Sequence, residues 1–274
     1  MTLEETEGVE ITANKTTSSE IYSKAIIPDL EFAISNLDDK PSDYGRASIP
    51  AAQFLLAKVL LTRSYTAASA GDDASKAETL MSSVINNSQF SLLPKFSDLW
   101  KLENERNSEF IWTIQNSKSQ VDEGLDRYGH RAHLYFLMEY DKKPAMTRDT
   151  ENGRPWKRFR PTSHLLSLWD RTKDLRYDDT FKHVWYANTT AIPGIAIGDT
   201  ALYIPGPGLN KDGIDQDALW TDAKKATKKY QIYTTGDYSN RTFPSLNKWI
   251  DNTRPNRQHT LSLIHISEPT RLGF

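Results

Sequence analysis

The 274-residue sequence contains no cysteine, which excludes disulfides, thiolate nucleophiles and cysteine-based zinc sites together. It has no apolar run near the roughly 18 residues that a membrane-spanning helix needs. The residues after Met1, "TLEETEGVEITANKTT", lack the basic-then-apolar layout of a signal peptide. Net charge is also nearly absent, with 34 Lys and Arg set against 36 Asp and Glu. Such balance provides no long-range field to draw in nucleic acid or anionic lipid. Aromatic residues, by contrast, are plentiful: 7 Trp, 12 Tyr and 10 Phe. These side chains pack cores and, where exposed, stack on the apolar faces of sugars. The length allows one large domain or two ordinary ones.

Helical signals dominate the first third. "TSSE" from Thr17 to Glu20 reads as a capping box, and Ile21, Ala25, Leu30, Ile34 and Leu37 then keep a three- and four-residue rhythm, predicting a helix over 17–37. "DDKPSDYGR" ends it. A second helix is predicted from about Ser48 to Tyr65, with Pro50 in its first turn, and a third from about Ala74 to Asn87. The last two form an αα-hairpin of tetratricopeptide type, and one such hairpin alone leaves an apolar face uncovered. From Gln89 the texture changes. "SEFIWTIQ" places Phe110, Trp112 and Ile114 on one side of a predicted strand, and a short helix follows at about Ser163 to Trp169, capped by Thr162 or Ser163. "AIPGIAIGDTALYIPGPG" is turn-rich with short strands. The expected fold class is mainly α: tetratricopeptide-like helix pairs with a loop-rich, irregular lobe containing short strands.

Several constellations suggest chemistry, and each has a plainer reading. His130 and His133 stand three apart, as metal ligands on a helix can, but no third ligand is apparent and no metal is expected. "GLNKDGIDQD" resembles a calcium loop, yet Gly208 and Leu219 occupy the positions where carboxylates belong, which leaves a polar turn. "KRFR", Lys157 to Arg160 beside Trp156, has the composition of a phosphate-reading patch. A neutral chain with acidic neighbours points instead to a salt-bridged surface and to no nucleic-acid partner. Asp170, Asp174, Asp178 and Asp179 could supply the carboxylate pair of a glycoside hydrolase, the alternative function. They alternate with Arg171, Lys173 and Arg176 in the pattern of ion pairs and caps, so a non-enzyme is expected.

Phe90, Leu92, Leu93, Phe96, Leu99 and Trp100 form one patterned loop, and Asn107, Glu109, Ile111 and Trp112 follow it in the predicted strand. Gly153, Arg154, Pro155, Trp156, Pro161, Leu165, Leu166, Asp170, Asp174 and Arg176 make a second pattern, "GRPW…P…LL.LWD…D.R". Together the two segments resemble the loop, strand and second motif of the SusD/RagB family of outer-membrane glycan-binding lipoproteins. The helices at Asp29–Leu37 and Gly45–Leu61 are similar to the family's central tetratricopeptide pair. The resemblance spans about residues 15–255. It implies capture of an oligosaccharide or polysaccharide for a SusC-like TonB-dependent transporter, without catalysis and without a cofactor. It also implies location at the outer-membrane surface, with membrane attachment only through a lipid anchor missing from this stretch. Tyr128, His130, Arg131, Tyr135 and Tyr140, in the loop after the strand, are the expected glycan-binding residues.

The same resemblance predicts an internal fragment. Residues 1–104 would be the end of an N-terminal region carrying the helical hairpin, and 105–260 a truncated C-terminal-type region. The tail "LSLIHISEPTR" back-translates into codons that resemble the transposon-end adapter of short-read sequencing libraries. Residues 261–274 are therefore expected to be translated adapter rather than protein. Resequencing the native locus should replace Leu261–Phe274 with other, helix-forming sequence; recovering the same codons from genomic DNA would refute this.

Overall fold

The computed structural model describes residues 15–115, 132–190, 192–248, 250, 252 and 264–265. They fall into two compact units, one from residues 15–92 and 106–114, the other from 93–105 and from Gln115 onward. Of the predicted adapter tail, only Ile264–His265 lies within the described residues, as a two-residue strand.

In the first unit Thr17 opens α1 (Ser18–Ile21), its hydroxyl accepting the Glu20 N–H at 3.3 Å. The single helix expected over 17–37 is interrupted by a π-turn, Tyr22–Ile26, before α2 (Ile27–Asn36). Pro28 is the physical cause. It has no N–H to donate and its ring crowds the carbonyl four residues back, so the ladder widens, and the Ile27 N–H bonds the Tyr22 carbonyl. In α3 (Ile49–Ser64) the Ser48 hydroxyl accepts the Ala51 N–H and Pro50 sits in the first turn, where its missing donor costs nothing. α4 (Asp73–Ile85) packs against it. Ala57 and Ala77 are fully buried and let the two helices approach, while Leu56, Leu60 and Met81 fill the space around them. Ile27, Leu30 and Ile34 of α2 pack on the same cluster.

The uncovered apolar face expected of a lone hairpin is present. Leu30, Ala33, Leu37, Ala51 and Leu55 line an apolar groove of about 470 Å³, and Phe32 and Leu61 are exposed. The strand expectation needs correction. Glu109, Phe110 and Thr113 are buried while Trp112 and Ile114 are exposed, and regular pairing is confined to β1 (Ile114–Gln115). The Trp112 indole N–H donates to the Gly45 carbonyl at 2.8 Å, which draws the ring outward along the 44–46 loop and breaks the alternation.

The second unit is built on short strands. β3 (Val184–Tyr186) pairs antiparallel with β4 (Thr200–Tyr203), which pairs in parallel with β5 (Gln231–Ile232). β2 (Phe181–Lys182) pairs antiparallel with β6 (Ser245–Leu246). Five short α-helices accompany the strands among the described residues: α5 (Ala132–Tyr135), α6 (Ser163–Ser167), α7 (Arg176–Thr180), α8 (Gln216–Leu219) and α9 (Asp222–Lys225). Thr162 caps α6 as predicted, accepting the Leu165 N–H at 3.0 Å. The core joins Leu134, Leu137 and Met138 to Trp185, Leu202, Ile204 and Phe243. Ser245, fully buried, accepts the Met138 N–H at 2.9 Å and ties that segment to β6. Gly206 is a position no other residue fits. Its φ is +82°, and a Cβ there would stand 2.7 Å from the Arg171 guanidinium and the Tyr177 hydroxyl. The mainly helical class with a loop-rich lobe of short strands is what the sequence predicts.

The turn between α3 and α4 is held by one ion pair. Arg63 Nε lies 3.1 Å from both oxygens of Asp73, its Nη2 bonds Asp73 Oδ1, and Asp73 Oδ2 accepts the Ala70 N–H at 2.9 Å. Asp73 is 1% exposed, and the bond from Arg63 holds its carboxyl below the usual range. Asp73→Ala would leave the Arg63 charge half-buried without its partner and should cost about 3 kcal/mol in denaturant titrations at pH 7. Because the folded pKa is depressed, this stabilisation is complete above the unfolded value of about 4 and is lost as pH falls toward the folded one. The variant and parent should therefore converge in acid.

Candidate ligand-binding site

Two chain segments of the second unit form the most developed aromatic surface among the described residues. One is α5 with the residues after it; the other is residues 154–160. They are joined by backbone bonds. The Trp156 N–H donates to the Leu134 carbonyl at 2.9 Å, and the Arg158 and Phe159 N–H groups both donate to the Tyr135 carbonyl, at 2.9 and 3.0 Å. Two consecutive donors converge on one acceptor because Lys157, immediately before them, takes a left-handed conformation, φ +53°. A non-glycine residue held there is strained by about 1 kcal/mol or more, and such strain gathers at functional sites. A salt bridge accompanies it: Lys157 Nζ lies 2.5 Å from Glu139 Oε1, and Arg241 Nε lies 3.7 Å from Glu139 Oε2. The Lys157 bond holds the Glu139 carboxyl below its ordinary value.

On this clamp the Tyr135 ring stands edge-on to Trp156, 4.7 Å between centroids at 87°, and tilts against Phe159 at 5.8 Å. Phe136 supports Phe159 at 5.4 Å. Phe159 is 55% exposed and Trp156 half-buried, so this is an aromatic surface open to solvent. Tyr135, Arg154, Pro155, Trp156 and Arg158 line a shallow depression of about 540 Å³. Apolar ring faces beside hydrogen-bonding cations are the chemistry that holds a sugar, by stacking on its C–H face and bonding its hydroxyls.

Of the five residues expected to bind glycan, Tyr128, His130 and Arg131 lie outside the described residues. Tyr135 lies at the centre of the aromatic surface. Tyr140 does not join it, and here the expectation is corrected. Its side chain is fully buried, stacked on Trp185 at 4.9 Å, and its hydroxyl donates to the Gly153 carbonyl at 2.6 Å. Burial pushes its phenol well above the ordinary pKa. Trp156, Phe159, Arg154 and Arg158 were missed, although the Trp-Lys-Arg-Phe-Arg run from Trp156 to Arg160 carries the signal, aromatic and cation interleaved. Among the described residues, the salt-bridged surface expected for that run is found only at Lys157.

The other constellations keep their plain readings. Asn210 Oδ1 accepts the Asp212 and Ile214 N–H groups at 3.0 and 2.9 Å, which makes "LNKDG" a polar turn. Asp170 pairs with Lys173 at 2.7 Å, Asp174 with Arg176 at 2.6 Å, and Asp178 with Arg171 at 2.9 Å. His183, whose Nδ1 bonds the Ile204 carbonyl, and Arg171 hold the Asp178 carboxyl down to about 2. A glycosidase acid needs the opposite shift.

Against known proteins, a stretch of 93 residues is 39% identical to a SusD-like protein of Bacteroides ovatus, covering 33% of this chain and 17% of that one. In fold, the chain is similar to the crystal structure of a SusD superfamily protein from Parabacteroides distasonis. That match has a TM-score of 0.55 and 22% identity, over 69% of this chain and 38% of the other. A surface glycan-binding protein A from Bacteroides thetaiotaomicron, solved in complex with laminarihexaose, aligns more loosely, at a TM-score of 0.45 and 22% identity over 62% of this chain and 35% of that one. No family model matches. The matches thus span well under half the length of these relatives. The helical hairpin with its irregular lobe defines a SusD-type fold. The matched stretch is similar in sequence to a SusD-like protein, and the described residues share the fold of a SusD superfamily structure.

The contrast between the two tyrosines is testable by stability alone. Tyr140→Ala should cost about 3 kcal/mol or more, as buried aromatic truncations do. Tyr135→Ala, which removes edge contacts at a half-open surface, should cost about 1 kcal/mol. Equal losses in thermal melts would place both rings in the core.

Proposed function

We propose that the protein is a non-catalytic glycan-binding protein of the cell surface, which captures oligosaccharide and passes it to a TonB-dependent outer-membrane transporter. The observation that carries this reading is the open aromatic surface of Tyr135, Trp156 and Phe159, with Arg154 and Arg158 around the depression it borders. The similarity to a SusD-like protein and to the SusD-type fold supports it, since glycan capture for uptake is what the SusD/RagB family is known for. The binding site proposed for this chain is Tyr135, Trp156, Phe159, Arg154 and Arg158, with Tyr128, His130 and Arg131 as further candidates. The carboxylates around residues 170–178 support the non-catalytic reading. Asp170, Asp174 and Asp178 are each committed to a cation, and the Asp170 and Asp178 carboxyls are lowered by their partners, away from the raised pKa of a general acid.

Affinity electrophoresis of the 274-residue chain against a panel of polysaccharides tests the reading directly. At least one should retard it, and Trp156→Ala should weaken that binding roughly tenfold, the loss of one stacking ring at about 1.5 kcal/mol. Incubation with the retarding polysaccharide should release no new reducing ends. Turnover that Asp178→Asn abolishes would make the protein an enzyme.

A further inference from the structure

Ten arginines lie within the described residues, and seven of them have a partner. Arg46, Arg63, Arg148, Arg171, Arg176 and Arg241 pair with carboxylates, and Arg106 stands 4.7 Å over the Tyr44 ring. The remaining three are Arg154, Arg158 and Arg160. All are exposed, none has an ion pair or side-chain hydrogen bond among the described residues, and all fall within the seven-residue segment that carries Trp156 and Phe159. That segment, "RPWKRFR", contains four cations and no acid. The carboxylate of the clamp, Glu139, is already held by Lys157 and Arg241. Two of the three free guanidinium groups, those of Arg154 and Arg158, line the same depression as Tyr135 and Trp156.

We infer that the ligand of this site is an anionic glycan, one whose sugars carry carboxylate or sulfate groups. This rests on the glycan-binding reading above and narrows it. A protein that pairs every other described arginine has left three unneutralised beside its open aromatic surface. An exposed guanidinium gains little from neutral hydroxyls that water does not already supply. It gains a short, paired, charge-assisted bond from a carboxylate or sulfate, whose two oxygens match its fork. The rings supply the second half of the recognition by stacking on the apolar face of the same sugar. Single-stranded nucleic acid also combines stacking with cations. The chain's balance of 34 basic against 36 acidic residues provides no long-range field to recruit a nucleic acid, and the poly(U) arm below tests that alternative.

The test uses matched polymers that differ only in charge, titrated against the full chain by calorimetry at low salt. The pairs are polygalacturonate against its methyl ester and dextran sulfate against dextran, with poly(U) as the nucleic-acid arm. At least one anionic polymer should bind tenfold or more tightly than its neutral partner, and which pair shows the difference identifies carboxylate or sulfate as the recognised group. The Arg154→Gln/Arg158→Gln double variant, altered only at exposed positions, should keep the parent's melting temperature and lose that difference. So should the parent in 1 M salt, where screening reaches about 3 Å. Equal binding within both pairs, unchanged in the double variant, would overturn the inference and leave glycan binding standing. A charge preference that survives the double variant would overturn the site. Binding of poly(U) more tightly than any polysaccharide would assign the patch to nucleic acid. Failure of every polysaccharide, charged or neutral, to bind would overturn the glycan reading itself.

Discussion

The backbone bonds that residues 154–160 make to the Leu134 and Tyr135 carbonyls carry the second unit's surface chemistry. A lobe with so few regular strands has few ladders to satisfy its peptide groups, and a buried N–H without an acceptor costs free energy on the scale of a lost hydrogen bond. Here single long-range bonds do that work. Ser245 accepts from Met138, Thr180 from Asn247, and Tyr135 from both Arg158 and Phe159. The last is the most constrained, because two donors reach one carbonyl only if Lys157 adopts its left-handed conformation. The same constraint fixes what is displayed. Trp156 and Phe159 must fall on either side of the kink, against Tyr135.

Beneath that surface lies a rigid support. Leu134 and Met138 are fully buried, and Tyr140 stacks on Trp185 of β3. The segment 132–140 therefore presents one side to the core and Tyr135 to solvent. Charge is sorted in the same way. Several carboxylates elsewhere in the unit are matched with cations, as in Arg148–Asp141 and Arg176–Asp174, whereas the displayed segment keeps three guanidinium groups open. A nearly neutral protein thus carries a local positive site, which net charge alone does not reveal.

Much of the fold was legible where a local rule decides it. The cap at Thr17 was readable from a hydroxyl preceding an apolar rhythm, and that at 162–163 was narrowed to Thr162 or Ser163; Thr17 and Thr162 are the residues found. Pro28 stood in the predicted first helix, yet its consequence, a π-turn rather than a break, depends on how Ile27 and Leu30 pack on α3. The strand at residues 108–115 failed because the Gly45 carbonyl, distant in sequence, captures the Trp112 indole. The site was half legible for a similar reason. Tyr135 and Tyr140 are five residues apart in one loop and chemically identical in sequence; only the position of Trp185 sends one inward. The cations at 154–160 were visible but read as salt-bridged, since whether an arginine finds a carboxylate is a tertiary fact.

Amide hydrogen exchange at Trp156, Arg158 and Phe159 tests the account most directly. If those three N–H groups are held by the Leu134 and Tyr135 carbonyls, they should exchange as slowly as the amides of β3 and β4, although their segment has no regular secondary structure. Exchange at the rate of an open loop would contradict the clamp, and with it the fixed aromatic surface on which the binding site depends.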